Sequence, residues 1–204
     1  MRRFTLACAG LLAVGASAIG GATAAVEGQQ QSQIEARRAA IAWLGAQVYG
    51  YQRATWRWEA LMGRRRTETE GRVFSEMSIP DVKRAVRLWQ RRAAAARRKA
   101  AHPPHKAAWL CIHRYEGSWT DADGPYYGGL QMDLGFQRRY ASRLLQTKGT
   151  ADHWTPLEQI WTAEKALRSR GFWPWPNTAR FCGLKCSSRS PTFNGNMLCA
   201  LSWL

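Results

Sequence analysis

The adjacent prolines Pro103 and Pro104 divide this chain of 204 residues into two unlike regions. A proline ring has no N–H and clashes with the preceding turn, so an α-helix does not continue through such a pair. Residues 26–106 hold 17 lysines and arginines against 7 acidic residues, a net charge of +10. Residues 107–204 hold 11 against 7, a net charge of +4. The chain length suits one compact domain plus an appendage.

The first 24 residues have the pattern of a secretory signal peptide. Arg2 and Arg3 precede an uncharged apolar run over residues 4–21, and Ala22-Thr23-Ala24 supplies a small-x-small cleavage site. We therefore predict that residues 1–24 are removed, that the mature protein is secreted and extracellular, and that it has no stable membrane insertion. A retained membrane anchor is the alternative.

Export changes the meaning of the cysteines. Cys111, Cys182, Cys186 and Cys199 remain after the predicted cleavage, an even number in an oxidising compartment, where three pairings are possible. Histidine is not found at metal-ligand spacing from them, so we expect neither a zinc site nor a cofactor.

The basic region, residues 26–106, reads as two helices. The first is indicated by a narrow apolar seam, and the second begins near Ser78, with Pro80 in its first turn. The apolar positions are Ile34, Ile41, Leu44, Val48 and Tyr51 in the first helix and Val82, Val86, Trp89 and Ala93 in the second. Two helices with one apolar stripe each predict an antiparallel hairpin, or arms that pack on the second region.

The second region predicts a mainly α, α+β fold. Helical patterns cover residues 106–115, 136–146 and 156–170, and the last begins with a capping box from Thr155 to Glu158. Between them, the glycine- and tyrosine-rich string from Gly124 to Gln131 predicts a tight β-hairpin.

Glu116 is the candidate catalytic residue. It follows an apolar-faced helix and precedes Gly117-Ser118-Trp119. Aromatic neighbours that partly bury a carboxyl at a helix end favour its protonated form, which a general acid for glycosidic cleavage needs. A glutamate beside a glycine is more often a solvated helix end, so the residue alone decides little.

Residues around Glu116 carry a family resemblance. The string Tyr126-Tyr127-Gly128-Gly129-Leu130-Gln131 follows Glu116-Gly-Ser-Trp by the spacing found in resuscitation-promoting factor catalytic domains. Glu158-Gln159, Ala163-Glu164 and the segment from Gly171 to Cys182 match the later landmarks. Residues 107–184 therefore resemble this small member of the lysozyme and lytic transglycosylase superfamily, which implies a lysozyme-like domain with a small β-hairpin.

The resemblance implies a role for individual residues. Glu116 matches the catalytic glutamate and Gln131 the glutamine that lines the sugar cleft. Trp119, Tyr126 and Tyr127 match aromatic positions at or beneath the cleft, where rings suit sugar faces. Asp133 is either a second carboxylate or the cap of the following helix. The tryptophans at positions 154, 173 and 175 are expected either in the core, which is favoured, or in the wall of the cleft.

Two features depart from the family. Tyr115 stands where the family has a cysteine directly before its glutamate, and Cys111 lies one helical turn earlier. The resemblance still implies a Cys111–Cys182 disulfide. The loop from Glu116 to Tyr126 is shorter than in the family. Residues 185–204 are expected to be a tail, pinned by a Cys186–Cys199 pair if one forms.

The resemblance implies cleavage of peptidoglycan glycan strands at the MurNAc–GlcNAc β-1,4 bond. The activity is that of a bacterial lytic transglycosylase or of a muramidase, a lysozyme-like hydrolase, associated with the cell wall. A non-catalytic glycan-binding module is the alternative. The formal charge of +16 favours contact with anionic wall polymers. A nucleic-acid partner is not expected, because the chain carries an export signal and no zinc-finger or RNP-like string.

Overall fold

The computed structural model describes residues 17–69, 71 and 73–184, with side chains from residue 26 onward. Within these residues it is a mainly α, α+β structure, and this confirms the predicted fold class. The helices are α1 (Ser17–Leu61), α2 (Ile79–Ala100), α3 (Lys106–Glu116), α4 (Leu134–Lys148), α5 (Pro156–Arg170) and α6 (Pro176–Phe181), and the antiparallel strands are β1 (Tyr126–Tyr127) and β2 (Met132–Asp133).

Helix α1 begins inside the segment predicted as a signal peptide, whose residues 1–16 lie outside the described part of the chain. In that described part, no helix is both long enough and apolar enough to cross a membrane. The predicted C-terminal tail, with Cys186 and Cys199, also lies outside the described residues.

Helices α1 and α2 pack side by side and run in the same direction. Near the start of α2, Val82 packs with Ile41 and Leu44 of α1. Ala100, the last residue of α2, shares a cluster with Met62, which follows the end of α1. Of the two arrangements predicted from the sequence, the antiparallel hairpin is therefore wrong, because the two helices form a parallel pair. Ile34 is exposed, because α2 begins opposite Ile41.

A return segment, residues 62–78, makes the parallel arrangement possible. Its Thr67 accepts a hydrogen bond from the Trp56 indole at 2.8 Å, and Phe74 packs edge-on against Tyr49 at 5.2 Å between ring centroids. The segment thus runs back along α1. About 20 helical residues span roughly 30 Å, and an extended segment of this length reaches farther. Ser78 then caps α2 by accepting a hydrogen bond from the Asp81 N–H.

The ends of α1 and α2 rest on the outer face of α5. Trp161 of α5 is buried against Met62 and Ala100, and its indole N–H donates to the Ala100 carbonyl at 2.7 Å. Arg168, two turns farther along α5, donates to the Met62 carbonyl at 2.8 Å. One helix of the second region therefore anchors both basic helices.

The opposite side of α5 closes an aromatic core. Trp109 of α3 lies at the centre, with its ring 5.0 Å from those of both Phe172 and Trp175. The buried Glu164 carboxylate accepts hydrogen bonds from the Trp109 indole at 3.1 Å and from the His105 backbone at 2.8 Å. Because each donor offsets part of the cost of burying a charge, Glu164 fixes the start of α3 on α5.

A disulfide joins Cys111 of α3 to Cys182, directly after α6. This is the pairing that the family resemblance implies. The two Cα atoms are 5.9 Å apart, and the bond links positions 71 residues apart in the sequence. It holds α6 against the half of α3 that ends at Glu116.

Candidate functional site

Glu116 is the last residue of α3, and its half-buried carboxylate has a defined partner. The Thr178 hydroxyl, on α6, donates a hydrogen bond to Glu116 Oε1 at 2.7 Å. Thr178 is itself only 9% exposed. Because the Cys111–Cys182 disulfide ties α6 to α3, the position of this hydroxyl is fixed relative to the carboxylate.

Gly117 brings a second functional group next to Glu116. Its φ is +155°, and a Cβ built on it would lie 3.2 Å from the Gln131 Nε2 atom and 3.0 Å from the Asp121 carboxylate. A side chain at position 117 would therefore crowd the Gln131 amide. The glycine after Glu116 thus lets the side chain predicted to line the sugar cleft approach the catalytic candidate.

The Gln131 side chain is held in one orientation. Its amide nitrogen donates to Asp121 Oδ2 at 2.8 Å and to the Gly128 carbonyl at 3.1 Å. Its backbone has a φ of +47°, in the left-handed region that non-glycine residues adopt at a cost. The amide nitrogen is thus occupied, while the amide oxygen is the group that remains to accept a hydrogen bond from a ligand.

A small groove of about 310 Å³, at the lower end of the range for ligand pockets, is lined by Gln131, whereas Glu116 is not part of its lining. Gln131, Tyr126 and Asp133 line it from the hairpin side, and Arg170 and Trp173 line it from the other. Tyr126 and Trp173 are about half exposed, so both rings present apolar surface to the groove. The guanidinium of Arg170 lies 5.2 Å from the centre of the Trp173 ring.

Trp173 takes the alternative position that the sequence left open, not the core position that was favoured. Trp154 and Trp175 are buried, as expected for core residues, but Trp173 is 45% exposed and lines the groove. Residues 172–175 form a turn between α5 and α6, and this turn directs Trp173 away from the core. The run of tryptophans at positions 173 and 175 in the sequence contains no signal that separates the two roles.

Trp119 and Tyr127 support the hairpin from beneath. The Trp119 ring stacks on His113 at 3.9 Å, and a Cβ built on Gly129 would lie 2.8 Å from that indole. The Trp119 carbonyl accepts a hydrogen bond from Gln159 of α5 at 2.8 Å. Tyr127 is half-buried against the main core. These two aromatic residues pack behind the groove that Tyr126 faces.

The two glycines of the hairpin are places of close approach. A Cβ built on Gly128 would lie 2.5 Å from Gln159 Oε1, and one on Gly129 would lie 2.5 Å from His113 Nδ1. Neither position has room for a side chain. The Gly-Gly pair therefore presses the hairpin onto α3 and α5, and this contact places Gln131 and Tyr126 at the groove.

Asp133 caps helix α4. Its Oδ1 atom accepts a hydrogen bond from the Phe136 N–H at 2.7 Å, so the interpretation as a helix cap holds. The exposed carboxylate also lies on the groove lining. Among the described residues, no group of three or more histidine, cysteine, aspartate or glutamate side chains is placed to hold a metal ion.

Two residues at the site were not singled out in the sequence. Thr178 lies in the segment before Cys182, but nothing in the sequence pairs it with Glu116, 62 residues earlier. His113 lies three residues before Glu116, stacks on Trp119, and its Nδ1 is 3.1 Å from the Gly129 carbonyl. Its position one turn before the glutamate was the available signal.

Comparison with models of known protein families gives no match, and no curated protein is found to be similar to the chain.

Proposed function

We propose that this chain is an exported, wall-associated bacterial enzyme that cuts peptidoglycan glycan strands at the MurNAc–GlcNAc β-1,4 bond. The single observation that carries the proposal is the Glu116 carboxylate, which accepts a hydrogen bond from Thr178 and is followed by Gly117, the residue that the amide of the groove-lining Gln131 approaches. The family resemblance of residues 107–184 supplies the substrate. The Cys111–Cys182 disulfide supports an oxidising compartment outside the cytoplasm.

The proposed mechanism begins with proton transfer from Glu116. Thr178 donates to Oε1, so the proposal assigns the transferred proton to Oε2. Glu116 protonates the glycosidic oxygen as the bond from the MurNAc C1 carbon breaks, and positive charge develops on that sugar. The carboxylate that remains then accepts a proton from the attacking hydroxyl group.

The attacking hydroxyl decides the product. Attack by the MurNAc 6-hydroxyl gives a 1,6-anhydro end, whereas attack by water gives a reducing end. Asp133, whose carboxylate lies on the groove lining, is engaged as the cap of α4. With Glu116 as the single catalytic carboxylate, acting first as acid and then as base, we favour the lytic transglycosylase outcome.

A digestion experiment tests the proposal. Purified peptidoglycan is incubated with the full chain, with Glu116→Gln, and with Glu76→Gln, an exposed glutamate of the return segment that serves as the charge-matched control. Loss of general acid catalysis is expected to slow the release of muropeptides by about 10²–10⁴-fold in Glu116→Gln alone. Mass spectrometry of the products separates anhydro from reducing ends.

Two results would count against this mechanism. Equal clearing by the wild type and by Glu116→Gln would remove the role of Glu116. Retention of the chain on peptidoglycan with no product from any variant would instead identify the non-catalytic wall-binding module, for which the shortened loop after Glu116 is the feature in favour.

A further inference from the structure

A second and much larger groove lies in the basic region, away from Glu116. It has a volume of about 1750 Å³ and lies between α1, α2 and the return segment. Its walls run from Arg38 to Trp56 on α1 and from Asp81 to Arg92 on α2. The proposed glycan cleavage makes no use of this groove.

Arginine dominates the lining. Of the described residues that line the groove, six are arginines and one, Asp81, is acidic; Asp81 forms an ion pair with Arg84. The arginines are Arg38, Arg53, Arg84, Arg87, Arg91 and Arg92. Guanidinium groups bind phosphate oxygens in a bidentate manner and carry their charge at every physiological pH. The groove therefore matches a ligand with several phosphate groups.

The floor of the groove is apolar. Val48 and Trp89 are 1% and 5% exposed, and Ile41 is 7% exposed. The arginines therefore lie on two walls, α1 and α2, on either side of an apolar floor, and are not clustered at one point. This arrangement suits an extended polymer better than a single small anion.

Guanidinium groups cover the two tryptophan rings of the groove, whereas the ring of Tyr49, which also lines it, is 52% exposed. The guanidinium of Arg66 lies 4.4 Å from the centre of the Trp56 ring, and that of Arg92 lies 4.8 Å from the Trp89 ring. Proteins that bind single-stranded nucleic acid use open aromatic faces on which bases stack. With both tryptophan faces covered by cations, Tyr49 alone does not supply the row of open rings on which successive bases stack, and this favours a polyanion without bases.

We propose that this groove binds a phosphodiester-linked polyol polymer, the chemistry of the anionic polymers of bacterial cell walls. The choice of a wall polymer among polyanions without bases rests on the proposed function. Because the ends of α1 and α2 are anchored on α5 through Trp161 and Arg168, a polymer in the groove holds the catalytic region at the wall.

A binding experiment on the full chain tests this proposal. The probe is fluorescently labelled polyglycerol phosphate, titrated at several salt concentrations. The groove variant combines Arg53→Gln, Arg87→Gln and Arg91→Gln. The matched control combines Arg37→Gln, Lys83→Gln and Arg98→Gln, which lie on the same two helices, are exposed, and do not line the groove. Both variants lose three positive charges.

The expected result is a loss that depends on position. The groove variant binds about 30-fold more weakly at physiological salt and has a shallower salt dependence, because fewer counterions are released. The control binds less than about 3-fold more weakly. Equal losses in the two variants would mean that diffuse charge, not the groove, attracts the polymer, and would overturn the proposal.

Two further probes test the class of ligand. A single-stranded DNA oligonucleotide of matched phosphate number and vesicles of phosphatidylglycerol and phosphatidylcholine are titrated in the same way. If either binds as tightly as polyglycerol phosphate and with the same dependence on the groove arginines, the assignment to a wall polymer is overturned. The labelled polymer contains no glycan strand, so failure here leaves the Glu116 digestion result standing, and the reverse also holds.

Discussion

The basic region and the disulfide-linked region use different means to hold their structure. The basic region contains no cysteine and packs two parallel helices along one apolar seam, which leaves its arginines on the surface. The second region gathers aromatic side chains from α3, α4, the hairpin and the turn between α5 and α6 into one core, closed by the Cys111–Cys182 disulfide. Two helices that meet along one seam leave a long charged groove between them. A core closed on all sides can instead hold individual functional groups in fixed positions.

The same difference separates the two candidate sites. The groove lined by Gln131 is small. Hydrogen bonds hold the candidate groups in this region: Thr178 donates to the Glu116 carboxylate, and the Gln131 amide donates to Asp121. The groove between α1 and α2 is more than five times larger, and exposed arginines line it. Catalysis requires groups in fixed positions, as at the small site, whereas attachment through charge requires only a surface rich in cations, as in the large groove.

Removal of the disulfide is expected to cause the largest change in stability, and to affect the disulfide-linked region and not the basic region. Replacing Cys111 and Cys182 together by serine frees a loop of about 70 residues, which costs about 4 kcal/mol of unfolding free energy on the loop-entropy estimate. Urea unfolding followed by tryptophan fluorescence measures the loss. Binding of polyglycerol phosphate at low temperature is expected to persist in this variant. If binding is lost together with the structure of the aromatic core, the basic region depends on the disulfide-linked region for its own structure.

Breaking the contact between the two regions at Trp161 is expected to cause the next largest loss of stability. Trp161→Ala removes a ring that is 5% exposed and the hydrogen bond to Ala100, at an expected cost of about 3 kcal/mol. Trp161→Phe keeps most of the apolar contact and is the control, with a smaller expected loss. Thermal unfolding followed by circular dichroism checks both variants. An unchanged melting temperature in Trp161→Ala would mean that the basic helices are not anchored on α5.

Thr178 tests how far the catalytic carboxylate depends on its partner. Thr178→Val keeps the shape and removes the donor to Glu116, so kcat/KM for muropeptide release is expected to fall about tenfold, which corresponds to about 1.4 kcal/mol. Thr178→Ser restores the hydroxyl and is expected to recover most of the rate. If serine and valine variants are equally slow, packing at this position and not the hydrogen bond sets the rate.

The smallest predicted effect is a dependence of stability on pH at the start of α5. Burial raises the pKa of Glu158. Hydrogen bonds from Lys148 and Thr155 lower the pKa, and together they outweigh burial, so the pKa lies below the usual 4.5. A lowered pKa in the folded state contributes stability above pH 4.5 that is lost as the pH falls through the folded value.

Lys148→Gln removes part of this lowering, while Lys148→Arg keeps the cation. We expect the stability difference between pH 7 and pH 3.5 to shrink by less than about 1 kcal/mol in the glutamine variant only. Urea midpoints at the two pH values measure it. A wild-type protein that becomes more stable at pH 3.5 would contradict the direction of the pKa shift.

Local features of this chain could be predicted from the sequence. Ser78 with Pro80, and Thr155 with Glu158, mark the starts of α2 and α5, because a cap and its first turn are contacts within a few residues. The Gly-Gly string predicted the hairpin for the same reason. The place of Glu116 at the end of a helix also followed from local pattern, although the role assigned to it came from a family resemblance.

Only the tertiary structure decided which distant residues meet. The direction of α2 depended on the path of residues 62–78 along α1, and periodicity contains no information about that path. The exposure of Trp173, the burial of Trp175 and the bond from Thr178 to Glu116 join positions that no local spacing relates. Helix caps and helix ends depend on neighbouring residues and can therefore be predicted from the sequence. A groove or a carboxylate with a fixed partner forms only when distant parts of the chain pack together.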